Sequence, residues 1–354
     1  MLVGGQGTRL RPLTYDAPKQ MLPIVGRPMI ARVVEWLGTY GVDEVVLSLG
    51  YRPDAFLAAF PEGRIGEVSL CYAVEDTPLD TAGAIAFAAR EAGYDDGRLV
   101  VVNGDVLTDL DLGALVAFHQ RSGAAATIAL TPVGDPSAFG VVPTAPDGRV
   151  LAFIEKPARG TAPTNLINAG IYVLEPSILR AIPMGPPVSI EREIFPRLVR
   201  DGVLYAQASD AYWIDSGTPA TYLRAQLDIV GGRRATIALD VAEQTPGLRV
   251  GEGAVVEGSL VAPVYLGART VVAPDAQVVD SVLGADCLLQ SGAVVRSSVL
   301  LDGVVLGRGA VVESSVLGWG VVLGEGACVL GGSLIRAGTK VDPGALLDGA
   351  RRAV

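Results

Sequence analysis

The chain has 354 residues, half of them apolar and mostly Ala, Val and Leu, enough for two domains each with its own core. Its formal net charge of −10, from 28 basic and 38 acidic residues, argues against a nucleic-acid partner, so any positive charge offered to a polyanion must be local. No apolar run reaches the roughly 18 residues of a membrane span, no signal peptide is expected ahead of the first strand, and Cys71, Cys287 and Cys328 form no CxxC or Cys/His cluster, which together read as a cytoplasmic protein with reduced thiols, no membrane partner and no zinc site.

At the N-terminus, "LVGGQGTRLRPLT" (2–14) sets Leu2 and Val3 at the end of a short buried strand, and Gly4, Gly5 and Gly7 free the backbone that follows. Leu10 stands where a dinucleotide fingerprint needs its third glycine, and no Gly-Lys-Ser/Thr follows. The loop is therefore either a plain strand-to-helix turn or an anion-binding nest of exposed N–H groups, with Arg9 and Arg11 beside it. Lysine is scarce: only Lys19, Lys156 and Lys340 occur, and the first two sit in Pro-Lys contexts, "APKQMLPI" and "FIEKP".

Up to residue 232 strand-like runs at 44–51, 98–106, 125–133 and 168–176 alternate with helical patterns at 29–41, 82–93 and 112–123, which predicts a mostly parallel sheet covered by helices. His119, late in the 112–123 helix, is expected to be structural. Ser189 is placed to cap a helix over 189–202, and Thr218 with Pro219 to start another that ends at Gly231-Gly232. Residues 233–247 read as a linker. From 248 the pattern changes: aliphatics recur every six residues along Leu288, Val294, Leu300, Leu306 and Val312, then from Leu317 to Leu347, with a five-residue step between the two series. That period predicts a hexapeptide-repeat parallel β-helix of roughly five coils, at about eighteen residues each.

The motifs "GGQGTRLRPLT", "PKQMLPI", "PLDTAGA", "NGDV", "FGVV", "FIEKP", "INAGIYVLEP", "SIEREIFP" and "YWIDSGTP" come in an order that resembles the sugar-1-phosphate nucleotidylyltransferases, most closely the mannose-1-phosphate guanylyltransferases with a C-terminal left-handed β-helix. The resemblance implies a Rossmann-like α/β nucleotidyltransferase domain over 1–232 and a left-handed β-helix over 248–354. It implies attack of a sugar 1-phosphate on the α-phosphorus of a nucleoside triphosphate, foremost mannose 1-phosphate on GTP. Thymidylyl, uridylyl or adenylyl transfer to glucose 1-phosphate and a non-catalytic paralogue are the alternatives. A phosphate monoester with a second pKa of about 6 is already ionised at neutral pH, so alignment and charge neutralisation are needed rather than a general base.

The resemblance also assigns residues. Leu2, Gly4, Gly5, Gly7, Thr8, Arg9, Lys19, Asp80, Thr81 and Gly83 fall at nucleotide positions, with Arg9 and Lys19 on the β- and γ-phosphates; Gly140, Glu155, Lys156 and Asn168 fall on the sugar phosphate; Asp105 and Asp215 fall on Mg²⁺. Arg9, Lys19, Asp105, Lys156 and Asp215 form the catalytic set. Neighbouring strand residues face opposite ways, so Glu155 and Lys156 can share a ligand only across a twist or bulge. Trp213 either lines the pocket or packs. Two departures stand out: Asp80 replaces a glycine of "PLGTAG", which leaves the base open, and the first strand is short where relatives begin several residues earlier. No histidine follows residue 119, which favours an assembly or regulatory role for the β-helix over acyl transfer, with a homo-oligomer, dimer first, as the expected state.

Overall fold

A computed structural model of the chain describes residues 1–50, 52–94, 96–234 and 239–352. Tyr51, closing the expected 44–51 strand, and residues 235–238 of the expected linker lie outside the described residues. The chain forms two compact units that interleave in sequence: Met1–Gly5 with Val33–Trp213, and Gln6–Arg32 with Ile214–Val354.

In the first unit Leu2 bridges Ser48 and Asn103 in parallel, tying strand Glu44–Leu49 to strand Leu99–Val102. Glu44–Leu49 runs parallel to Val68–Val74, and Leu204–Ala208 runs parallel to Ala126–Pro132. Leu166–Leu174 is inserted antiparallel to both Leu99–Val102 and Ala126–Pro132. The sheets are thus mixed, with parallel pairs on either side of the reversed Leu166–Leu174 and short antiparallel strands at Arg64–Ile65 and Ile154–Glu155. Ala126–Pro132 is buried over its first six residues, as expected where both faces are covered. Helix Asp80–Glu91 packs on Glu44–Leu49, and helix Leu112–Ser122 on Ala126–Pro132 and Leu204–Ala208.

Two local rules decide the helices. Asp111 accepts a hydrogen bond from the Ala114 N–H, and Gly123 closes the 112–122 helix in a left-handed conformation (φ +62°). After Ser189 the expected α-helix begins instead with a π-turn, Ile190–Ile194, before α-helix Phe195–Arg200. Ser189 Oγ accepts from the Arg192 N–H, and Glu193 accepts from the Ser189 N–H at 2.9 Å, so the cap forms. Pro196 then withholds the N–H that an α-helix would direct to Arg192, and the turn widens.

In the second unit helix Pro219–Val230 carries the expected Thr218 cap, here a reciprocal box with Thr221. Tyr222 donates its hydroxyl to Pro23 O at 2.5 Å, and Gln226 Oε1 accepts from the Val25 N–H at 3.0 Å, pinning hairpin Pro23–Pro28 to this helix. Arg32, fully buried, donates to Ile24 O and Val25 O. Gly26 has φ +77°, and a Cβ there would lie 2.8 Å from Tyr265 Oη of the coil domain.

The coil matches a left-handed parallel β-helix. Six strands stack in parallel on one side: Val255–Val256, Val271–Val272, Leu288–Leu289, Val305–Leu306, Val322–Leu323 and Lys340–Val341. This is one rung more than the expected five, and Val271, Leu288, Val305 and Val322 follow one another at 17 rather than 18 residues. The inward row is Leu283, Leu289, Val295, Leu300, Leu306, Val312, Leu317, Leu323, Val329, Ile335 and Val341. The expected Leu288 and Val294 are displaced by one residue and only half-buried.

Each short step is a tight corner. Asp280, Ser297 and Ser314 have φ +46°, +44° and +50°, and the next residues, Ser281, Ser298 and Ser315, are buried. Ser281 Oγ accepts from the Ser298 N–H and Ser298 Oγ from the Ser315 N–H, both at 3.1 Å, while each hydroxyl donates to the carbonyl two residues before it. The ladder satisfies both capacities of a buried hydroxyl, which is what makes its burial tolerable. The frame is open to test: Leu289→Ala should cost about 2–5 kcal/mol in urea unfolding, and Leu288→Ala clearly less.

Candidate active site

Residues 8–21 form a run of single 3₁₀ turns in the second unit. Gly7 has φ +57°, and a Cβ there would come within 2.9 Å of Thr14 Cγ2 and 3.0 Å of Lys19 Cβ. Thr14 donates its hydroxyl to Gly7 O at 2.9 Å, closing the loop on itself. Thr8 and Arg9 are exposed in the turn Thr8–Leu10, whose Leu10 is buried; Lys19 opens the turn Lys19–Met21 and is buried. Buried ammonium groups need an anionic partner. Asp215 supplies it: Lys19 Nζ is 3.3 Å from Asp215 Oδ1, and Arg9 Nη2 is 3.6 Å from Oδ2.

Gly217 completes this cluster and was passed over in the sequence. Its N–H donates to Asp215 Oδ1 at 2.7 Å. A Cβ at residue 217 would fall 2.5 Å from Arg9 Nη2, 2.7 Å from Asp215 Oδ1 and 2.8 Å from Lys19 Nζ. Its only sequence signal was a glycine two places after the aspartate in "YWIDSGTP". Arg11 donates to Gln6 Oε1 at 2.7 Å and stands 5.3 Å from the Tyr15 ring centroid.

The remaining residues belong to the first unit. Leu2 donates its N–H to Val102 O and accepts from the Gly104 N–H, so its backbone serves the sheet; Gly4 and Gly5 follow it, exposed, with open space where a side chain would project. Asp105 sits in the turn after strand Leu99–Val102, at the carboxyl end where α/β sheets bind ligands. Asp80 has φ +56°, which gives the family glycine a conformational reason, since Asp tolerates this region better than most side chains. Asp80 Oδ1 accepts from the Thr81 N–H at 2.7 Å. Thr81 donates to Glu191 Oε2 at 2.7 Å and accepts from the Ile190 N–H at 2.8 Å, fastening this turn to the π-turn. Glu191 was also missed; π-turns recur at functional sites. Gly83 has a packing reason: its N–H meets Val188 O, and a Cβ would press on Leu79 Cβ at 3.0 Å.

Glu155 ends strand Ile154–Glu155 opposite Gly140, where a Cβ would fall 2.5 Å from Phe153 Cζ and 3.2 Å from Glu155 Oε2. Lys156 follows with φ +46°, and its Nζ returns to within 3.3 Å of Glu155 Oε1. The left-handed residue breaks the strand alternation and lets the two neighbours converge. Asn168 lies at the register shift of strand Leu166–Leu174, donating to Tyr172 Oη at 2.9 Å and accepting from the Gly170 N–H. Burial, then the charge of Glu191, holds the Tyr172 hydroxyl above its ordinary range, so it stays protonated. Trp213 donates Nε1–H to Ala169 O at 2.9 Å and meets Phe139 edge-on.

His119 is buried between Thr127 Oγ1 at 2.8 Å and Glu175 Oε1 at 2.9 Å, as a structural residue would be. Burial works to raise the Glu175 carboxyl, and hydrogen bonds from His119 and Arg98 outweigh it, holding it below the usual range. The three cysteines are unpaired thiols.

Residues 1–231 match the family described as Nucleotidyl transferase, and residues 260–351 match the GMPPB C-terminal domain. The chain belongs to the nucleotidyl transferase family. A mannose-1-phosphate guanylyltransferase of Mycobacterium tuberculosis is 42% identical over 281 residues, 78% of this chain and 75% of that protein. A mannose-1-phosphate guanyltransferase of Aspergillus fumigatus is 41% identical over 226 residues, 63% of this chain and 61% of its own length. The crystal structure of HddC from Yersinia pseudotuberculosis matches with a TM-score of 0.57 at 30% identity, over 64% of this chain and 97% of that one. A second structure of HddC, complexed with GMP-PN, matches with a TM-score of 0.56.

As a nucleotidyl transferase the chain is an enzyme whose substrates are a nucleoside triphosphate and a sugar phosphate, and enzymes of the family generally use a divalent metal. Among the described residues no group of three or more His, Cys, Asp and Glu side chains is gathered for a metal ion, and no helix is long and apolar enough to cross a membrane. Asp105 and Asp215 offer carboxylate oxygens alone. A carboxylate is a hard oxygen donor, of the kind that a divalent ion takes alongside water and substrate phosphates. Gly217→Ala should lower kcat/KM on the order of 100-fold while circular dichroism stays that of the parent, because the added methyl group pushes directly on the Arg9–Asp215–Lys19 cluster.

Proposed function

We propose that this nucleotidyl transferase moves a guanylyl group from GTP to mannose 1-phosphate, giving GDP-mannose and pyrophosphate. The observation that carries the choice of substrates is the similarity to the mannose-1-phosphate guanylyltransferase of M. tuberculosis over most of both chains. The complex of HddC with GMP-PN supports a guanine nucleotide.

In this proposal Arg9 and Lys19 take the β- and γ-phosphates, and the loop N–H groups from Gly4 to Thr8 wrap the triphosphate, with Leu2 beside it. Lys19 is preorganised because Asp215 and burial leave its ammonium little freedom. Asp80, Thr81 and Gly83 form the nucleoside side, where the Asp80 carboxylate is an acceptor for the N1 and N2 donors of guanine. Lys156 neutralises the sugar phosphate, Glu155 and Asn168 bond sugar hydroxyls, and Gly140 keeps the strand edge low. Asp105 and Asp215 would hold Mg²⁺, which when bound neutralises phosphate charge and orients the displaced group. No residue acts as general base, since the attacking phosphate is already ionised. We further propose a cytoplasmic homodimer, with residues 1–232 as the catalytic domain, 233–247 as linker and 248–354 as an assembly module.

Initial rates with five nucleoside triphosphates against mannose, glucose, galactose and N-acetylglucosamine 1-phosphates test the substrates. GTP with mannose 1-phosphate should give the highest kcat/KM, and a clear preference for any other pair overturns the assignment. Asp105→Asn and Asp215→Asn should each lower kcat by about 100-fold or more with unchanged circular dichroism; an active Asp105→Asn enzyme at ordinary Mg²⁺ removes Asp105 from the metal site.

A further inference from the structure

Within the second unit Arg336 of the β-helix reaches the loop that carries Arg9 and Lys19. Arg336 stands in the turn between strands Leu334–Ile335 and Lys340–Val341, and its carbonyl accepts both the N–H and the hydroxyl of Thr339. The guanidinium grips Asp16 as a fork: Nε lies 3.1 Å from Oδ1 and 3.2 Å from Oδ2, and Nη2 lies 2.9 Å from Oδ1. Its Cζ is 5.8 Å from the centroid of the Tyr15 ring, the same ring that Arg11 approaches.

Tyr15 and Asp16 lie midway along the loop. Turn Leu13–Tyr15 contains Thr14, whose hydroxyl holds Gly7, and Lys19 follows Asp16 after two intervening residues. Single 3₁₀ turns have little stability of their own, so the loop is positioned by its anchors. The anchors within this unit include, in turn, Thr14 on Gly7, Asp215 on Lys19 and Arg9, and Arg336 on Asp16. The third comes from the β-helix, 320 residues away in sequence.

We propose that Arg336 is a positioning residue for the nucleoside triphosphate: by fixing Asp16 and Tyr15 it holds Arg9 and Lys19 ready for the leaving phosphates. The β-helix then contributes to nucleotide handling as well as to assembly. This rests on the reading of Arg9 and Lys19 as triphosphate ligands. A planar fork on a carboxylate and an aromatic face is a task for arginine, which an ammonium cannot reproduce. Both partners keep some exposure, so the pair adds little to global stability. A purely structural contact and a positioning contact therefore leave different traces.

The test is steady-state kinetics and thermal unfolding of the full chain with GTP and mannose 1-phosphate, for Arg336→Ala, Arg336→Lys, Asp16→Ala, the Asp16→Ala/Arg336→Ala double variant, and Lys19→Ala as control. Arg336→Ala should raise KM for GTP on the order of fivefold, leaving KM for mannose 1-phosphate and Tm as in the parent. Arg336→Lys should not rescue it, Asp16→Ala should match it, and the double variant should be no worse than either single one. If Lys19→Ala raises KM for GTP and Arg336→Ala does not, the positioning role is overturned while the loop assignment stands. A rise in both KM values with a fall in Tm makes the contact structural and also overturns it. If Lys19→Ala leaves KM for GTP unchanged, the loop assignment fails and the proposal with it.

Discussion

The ion cluster around Asp215 is the constraint on which the loop chemistry depends. A chain with a formal charge of −10 repels a triphosphate at long range, so it must concentrate cations at short range. Bringing Arg9 and Lys19 together without a ligand sets like charges against each other, and burying Lys19 removes its water. One carboxylate resolves both problems, at 3.3 Å from Lys19 and 3.6 Å from Arg9. A side chain at residue 217 would make these three side chains shift, because its Cβ would meet Arg9, Asp215 and Lys19 at once.

Much of this was legible in the sequence because punctuation residues carry geometry. The Thr218-Pro219 start, the Ser189 cap and the alternation of strand and helix patterns follow from single-residue preferences, and each appears where those preferences place it. The paired requirement on Glu155 and Lys156 was also visible as a condition, met by one left-handed residue at Lys156. What stayed hidden depends on neighbours distant in sequence. Gly217 is required by Arg9 and Lys19, about 200 positions earlier, and Glu191 is recruited by Thr81. The π-turn required knowing how Pro196 and the Ser189 cap would share one stretch of backbone.

The β-helix shows that the period of a repeat and its frame are separate pieces of information. A six-residue repeat identifies the architecture, but the frame is set by the corners, where Asp280, Ser297 and Ser314 shorten the step by one residue. Starting the row at Leu288 instead of Leu289 counts every later residue correctly from Leu300 onward and still misplaces the first two. The buried serine ladder explains why the corner repeats so strictly: each hydroxyl must find the N–H one coil above and a carbonyl two residues back. Where the last coil does take an extra residue, Gly331 and Gly332 occupy the corner with φ +64° and +77°, and Ser333 resumes the pattern by accepting from the Ala350 N–H.

The interleaving of the two units gives these local facts a common consequence. Residues 6–32 group with residues 214–354, so the loop bearing Arg9 and Lys19 shares a unit with Asp215, the 219–230 helix and the coil. Tyr222 on Pro23, Gln226 on Val25, Tyr265 against Gly26 and Arg336 on Asp16 form successive ties along that segment. A flexible loop closed by such ties loses its ordering entropy on folding rather than on binding, which favours ligand affinity. On physical grounds the β-helix therefore belongs with the loop that carries Arg9 and Lys19, even though every residue assigned to the chemistry precedes it in sequence.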